Sequence, residues 1–179
     1  MPQRPRIFLH ARPRPGDRRR GVLLAGPLAL PVVFGRAGIR ADKREGDGAT
    51  PRGQFRLVRL WWRADRWPRP RTRLPVRRIT PDLAWCEDPG DRRYNRAFRR
   101  SANGRDEGDR LWRDDHLYDF VVEIDHNTRP RVAGRGSAVF LHLARVEGAP
   151  TAGCIAFRPG DLLRLLARVG PRTRISVQG

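Results

Sequence analysis

Apolar residues in this chain come in short runs, alternating or continuous, cut by glycine, proline and charged turns. That is a strand-and-turn pattern. Strand-like pieces fall at residues 22–24, 30–34 and 55–60, with an Ala25-Gly26-Pro27 turn signal between the first two. Leu117-Tyr118-Asp119-Phe120-Val121-Val122-Glu123-Ile124 and Ser137-Ala138-Val139-Phe140-Leu141-His142-Leu143 read as two more strands, separated by Arg129-Pro130 and Gly134-Arg135-Gly136. Leucines at helical spacing predict a helix over 162–169, opened by Pro159-Gly160-Asp161 and stopped by Gly170 and Pro171, with a closing strand at 173–177. Residues 1–20 are basic and Pro-rich, which predicts a mobile arm, with a short first strand at 7–9 as the alternative. Residues 61–110 carry Trp61, Trp62, Trp67, Trp85 and Tyr94 among arginines and prolines with little periodicity. Such an insertion either stacks on bases or packs as a satellite cluster under a long loop. The expected fold class is mainly β with a few helices (α+β), arranged as an arm over 1–20 and one domain over 21–179.

Composition adjusts this picture in three ways. The 179 residues, 39% of them hydrophobic, suffice for one domain with a real core, and 16 prolines with 18 glycines favour short elements over a helical bundle. A net charge of +19 draws the chain to polyanions, whether nucleic acid, anionic membrane or an acidic wall polymer. Of the 38 Lys and Arg residues only Lys43 is a lysine. Arg18-Arg19-Arg20 followed by the apolar run from Gly21 to Leu30 imitates a signal peptide, but Pro27 and Pro31 break it, so two strands around a turn are expected. No apolar run reaches the ~18 residues that a membrane-spanning helix needs. Cys86 and Cys154 permit one disulfide at most, and neither has a second thiol or histidine at zinc-ligand spacing, so no metal is expected. The loop from Asp42 to Gly53 is rich in glycine but lacks the Gly-Lys-Ser/Thr ending of a phosphate-binding loop.

The candidate chemistry sits in Thr151-Ala152-Gly153-Cys154-Ile155-Ala156, with His142 twelve residues before the cysteine on an apolar strand. A thiol reacts as the thiolate and needs a base beside it at neutral pH. Alone, His142 reads as a buried histidine bonded to a carbonyl, and Cys154 as a small buried hydrophobe. Together they supply a nucleophile and a general base, with the N–H groups of Gly153 and Cys154 placed to receive an oxyanion.

These residues resemble the L,D-transpeptidases with a YkuD-type catalytic domain. The similarity runs over about residues 21–179 and rests on two segments. Asp42-Lys43-Arg44-Glu45-Gly46-Asp47-Gly48-Ala49-Thr50-Pro51-Arg52-Gly53-Gln54-Phe55 is similar to the family's Thr-Pro-x-Gly-x-Phe loop, and Val139-Phe140-Leu141-His142 with Thr151-Ala152-Gly153-Cys154-Ile155 to its His…Ser/Thr-x-Gly-Cys signature. The chain departs from the pattern at Ala152, where the family usually has histidine, at Ala156, where it often has Arg or Asn, and in a shorter loop between His142 and Cys154. Trp85-Cys86, Tyr94-Asn95-Arg96, Leu111-Trp112, Tyr118-Asp119 and His126-Asn127 look like a proteobacterial subgroup linked to diaminopimelate–L-alanine (3-1) cross-links.

The resemblance implies a β-sandwich-like catalytic domain with a long Arg/Trp-rich insertion, acting on peptidoglycan stem peptides without a cofactor. It implies Cys154, His142 and Gly153 as catalytic residues, with a backbone carbonyl favoured over Asp125 as the group orienting His142. Thr151, His126, Asn127, Tyr118 and Arg135 are the implied substrate-binding candidates, an Asx-type turn being the alternative for His126-Asn127. Cys86 is expected to be a packed thiol beside Trp85. The substrate implies the periplasm. Two rivals remain at this point: hydrolysis of stem peptides in place of cross-linking, and a basic nucleic-acid-binding module, which lacks any recognised nucleic-acid motif.

Overall fold

The computed structural model describes residues 7–101 and 108–179. In chain order the strands are β1 (Phe8–Arg14), β2 (Asp17–Ala25), β3 (Leu28–Val33), β4 (Ile39–Arg40), β5 (Thr50–Pro51), β6 (Gly53–Trp62), β7 (Val76–Arg78), β8 (Leu83–Trp85), β9 (Ala97–Arg99), β10 (Asp109–Arg110), β11 (Phe120–Ile124), β12 (Phe140–Leu143), β13 (Ile155–Phe157) and β14 (Arg174–Val177). One helix, α1 (Pro159–Leu166), lies between the last two.

Nine strands form the main sheet in the order β11-β12-β13-β3-β2-β1-β14-β6-β7, and a further β6–β11 pairing joins its two sides. The β-sandwich-like sheet thereby closes on itself and hides edges that would otherwise invite pairing with other chains. Its interior is one apolar cluster drawn from nearly every strand, including Leu9, Leu23, Leu30, Leu60, Phe120, Leu141, Ile155 and Phe157, all fully buried. The helix seals this core with Leu162, Leu165 and Leu166. It begins earlier than the leucine spacing predicts because Pro159 occupies the first turn, where a missing N–H costs nothing. A few helices were expected; the described residues contain this one.

The mobile arm expected over 1–20 is corrected for the described part of that stretch. Phe8–Arg14 pairs in parallel with β14 and antiparallel with β2, burying Leu9 and Ala11 completely. Buried Leu9 and Ala11 alternate with exposed Phe8, His10 and Arg12, a half-buried strand pattern that the proline and charge content masked. Residues 1–6 lie outside the described residues.

The Arg/Trp-rich insertion is folded. Strands β8, β9 and β10 make a three-stranded sheet, and Ile79, Leu83, Trp85 and Leu111 form a second apolar cluster with Val121, Phe140 and Cys154. This explains the continuous apolar runs of β11, β12 and β13. One face of each packs into the main core; on the other, Val121 and Phe140 lie under the insertion, while His142 and Ala156 border a cavity.

Candidate active site

The site is set by strand periodicity. Strands β12 and β13 are parallel neighbours, with Leu141 opposite Ile155 and His142 opposite Ala156. Side chains alternate across a sheet. Leu141, Leu143, Ile155 and Phe157 therefore enter the main core, while Phe140 and Cys154 meet the second cluster. His142 and Ala156 share this second face by the same period. The small side chain of Ala156, directly opposite the imidazole, leaves room there. Cys154, Ala156 and His142 all line one cavity of about 350 Å³.

The sulfur is held from two directions. Phe140 N–H donates to Cys154 Sγ at 3.3 Å, and the thiol donates to Ala138 O at 3.2 Å. Burial, ahead of any charge, pushes the Cys154 thiol up to about 12; the Phe140 N–H opposes this, and Asp109 and Glu87 reinforce it. The His142 imidazole is pushed down to about 4, again by burial first. Its Nδ1 lies 2.7 Å from Leu143 O. A carbonyl only accepts, so Nδ1 carries the proton and Nε2 keeps its lone pair. The orienting group is thus a backbone carbonyl; Asp125 is engaged elsewhere, with the Arg56 guanidinium at 2.8 Å. At neutral pH the resting pair is thiol and neutral imidazole.

The backbone around Cys154 is anchored by two threonines. Thr151 Oγ1 donates to Cys154 O at 2.7 Å, and the fully buried Thr50 Oγ1 donates to the same carbonyl at 3.3 Å while accepting Gly35 N–H at 2.9 Å. Thr50 stands in the Thr-Pro-x-Gly-x-Phe segment, which gives that early loop a physical job at Cys154, 104 residues away.

These features meet the comparisons with known proteins. The family model for the YkuD L,D-transpeptidase catalytic domain matches residues 18–177. The chain belongs to the YkuD family. Among solved structures an L,D-transpeptidase from Mycobacterium smegmatis is similar at 14% identity and a TM-score of 0.46, covering 97% of this chain; the chain spans 59% of that protein's length. No curated protein matches the chain.

Of the residues that the sequence nominates, the YkuD domain gathers Cys154, His142, Gly153, Thr151 and Tyr118 around the cavity. The Tyr118 ring stands edge-on to the His142 imidazole, centroids 5.3 Å apart, and its hydroxyl donates to Asp109 Oδ2 at 2.7 Å. The remaining nominations lie elsewhere. His126, Asn127 and Arg135 are not among the cavity-lining residues. His126 Nε2 meets Arg135 O at 3.1 Å and its ring packs against Phe55, while the Asn127 amide donates to Val132 O and Gly136 O at 3.0 Å each. These side chains close their own loop, as an Asx-type turn does. The Arg135 guanidinium lies 2.8 Å from Asp42.

The Gly153 N–H, nominated as an oxyanion donor, is engaged in the resting site. It donates to Thr151 Oγ1 at 3.1 Å, so only the Cys154 amide of the nominated pair is untied by a described side chain. What Gly153 supplies is conformation: φ is 147°, and a Cβ there would lie 2.8 Å from Ala49 O.

Charged residues that the sequence did not single out complete the wall: Lys43, Glu45, Glu87, Asp109, Arg113 and Arg145. Buried Lys43 sits on Asp47 Oδ1 at 2.5 Å. Glu87 keeps an exposed edge, yet withdrawal of its carboxyl from water, followed by the charges of Asp109 and Glu45, pushes it up to about 7. Burial raises Asp109 despite its bond from Tyr118 and the nearby Arg113. Both cysteines are free, and Cys86 is buried outside the cavity lining. Among the described residues no group of three or more His, Cys, Asp or Glu is placed to hold a metal ion, and no helix is long and apolar enough to cross a membrane.

Proposed function

We propose that this YkuD domain is a peptidoglycan L,D-transpeptidase in which Cys154 is the nucleophile and His142 the general base and acid. The observation that carries the proposal is the shared cavity face of β12 and β13. There a thiol and an imidazole with a fixed Nδ1–H tautomer border the same space. Substrate binding brings the thiol proton to His142 Nε2 as Cys154 Sγ attacks the carbonyl carbon at the L-centre of diaminopimelate. The Cys154 amide faces the developing oxyanion. The C–N bond to the next residue breaks, and the imidazolium returns its proton to the departing amine. An acceptor amine then attacks the thioester, His142 takes its proton, and the sulfur leaves as thiol. The amide bond consumed supplies the energy of the bond formed, so no cofactor enters the balance.

The acceptor we propose is the amine of a first-position L-alanine, giving 3-1 cross-links. It is supported by the subgroup-like residues from Trp85 to Asn127: Tyr118 lines the cavity, and behind it Trp85 stacks edge-on against Phe140 at 4.9 Å. The substrate places the activity in the periplasm. The many arginines hold acidic wall material nearby, an attraction that salt weakens. The test is incubation with purified muropeptides, with and without an acceptor amine, followed by fragmentation of the products. A new amide between diaminopimelate and L-alanine, lost in Cys154→Ala, is expected. Shortened stems with no dimer would make the protein an L,D-carboxypeptidase. Dimers made equally well by Cys154→Ala would overturn the assignment.

A further inference from the structure

Asn95, in the insertion between β8 and β9, does not line the cavity, is 3% exposed and has φ 54°. Its side chain nonetheless uses all of its hydrogen-bonding capacity. Oδ1 accepts Trp85 Nε1–H at 3.0 Å and Ala138 N–H at 3.3 Å; Nδ2 donates to His126 O at 3.0 Å and Asn127 O at 2.9 Å. Two donors and two acceptor sites are all that a carboxamide has. Its main chain is pinned as well, N–H to Cys86 O at 2.8 Å and carbonyl to the Arg131 guanidinium at 3.3 Å.

One of those partners matters for the chemistry. Ala138 has φ 51°, a conformation that alanine avoids because its Cβ crowds the following carbonyl. A neighbour has to hold it there, and the side-chain contact on its N–H is Asn95. The carbonyl of this same residue accepts the Cys154 thiol, and two residues later Phe140 N–H donates to the sulfur. The turn at Ala138 therefore decides where both backbone groups that clamp the sulfur point.

We propose that Asn95 is a positioning residue for the nucleophile: by holding the Ala138 amide it fixes the left-handed turn whose carbonyl sets the Cys154 thiol. The proposal rests on Cys154 being the nucleophile. It gives the insertion a task in the site, since the residue that supplies the clamp belongs to the insertion and ties it to the turn after β11 and to the lead-in of β12.

The experiment compares Asn95→Ala in the wild-type and in the Ala138→Gly backgrounds. Transpeptidation gives kcat and KM, and iodoacetamide alkylation of Cys154, followed by mass, gives the pH dependence of the thiol. Asn95→Ala is expected to lower kcat by about tenfold or more with little change in KM. It is also expected to shift the pH dependence of alkylation, because the carbonyl that favours the thiol and the Phe140 N–H that favours the thiolate are both released from the sulfur. Glycine takes positive φ freely, so in the Gly background the fold-loss caused by Asn95→Ala should be clearly smaller. An equal loss in both backgrounds, or unchanged kcat and alkylation, would overturn the proposal. Should Asn95→Ala fail to fold, amide exchange in the wild-type protein decides it. Slow exchange at Ala138 supports the clamp, and exchange at the rate of an unprotected amide refutes it. Full activity in Cys154→Ala would instead sink the functional assignment, while the alkylation shift would still report on Asn95.

Discussion

If burial holds Cys154 as a thiol and His142 as neutral imidazole, the free enzyme's sulfur should react slowly and without a plateau near neutrality. Burial pushes the thiol up to about 12, against an ordinary value of 9.0, so folding disfavours its thiolate by about 4 kcal/mol. At pH 8 only about one molecule in ten thousand would carry thiolate. The imidazole, pushed down to about 4, is unprotonated there and contributes no positive charge to stabilise the sulfur anion. The assay is iodoacetamide alkylation followed by intact mass in a Cys86→Ala background, which leaves one thiol to report. The rate is expected to climb about tenfold per pH unit from 7 to 10. A plateau beginning below pH 8 would mean a preformed thiolate–imidazolium pair, and the argument from burial would be wrong.

Three further outcomes follow from the same geometry. Between about pH 6.5 and about 4 the unfolded chain binds a proton at His142 that the folded chain refuses, so wild-type stability should fall as pH drops through that window; denaturant titrations should find about 3 kcal/mol of this loss missing in His142→Gln. Gly153→Ala should destabilise the fold by about 2 kcal/mol or more and abolish turnover, since its Cβ would meet Ala49 O at 2.8 Å in a backbone conformation that L-residues rarely adopt; wild-type-like unfolding would count against it. In the pH profile of kcat/KM, a limb near 7 that reports the cavity carboxyl of Glu87 should vanish in Glu87→Gln, and a limb that persisted would assign that titration to another group.

How much of this was legible in the sequence varied with the physics. Strands with one or two dry faces announce themselves, and β3, β6, β11, β12 and β14 fall where apolar runs predict them. That Cys154 and His142 border one cavity was legible because their strands are neighbours and few residue types offer a thiol or an imidazole. β1 was hidden because only Leu9 and Ala11 face the core, while the exposed Phe8 and His10 and then arginine and proline fill the rest of the strand. Lys43, Glu87 and Asp109 were not legible because a charged residue on a cavity wall looks the same in sequence as one on a solvated loop. His126 and Asn127 close their own loop, and the sequence left this open because a polar pair after a strand serves a turn as well as a ligand. The direction of the Gly153 N–H depends on where the Thr151 hydroxyl swings, which spacing does not encode.

The central claim is that acyl transfer passes through sulfur at Cys154. Its most direct test is to mix the protein with a stem-peptide donor lacking any acceptor, quench in acid, and locate the trapped acyl group by mass after digestion. The account expects a thioester confined to the peptide containing Cys154, absent from Cys154→Ala and undiminished in Cys86→Ala. An acyl group on any other residue, or cross-linking that proceeds in Cys154→Ala, would contradict it.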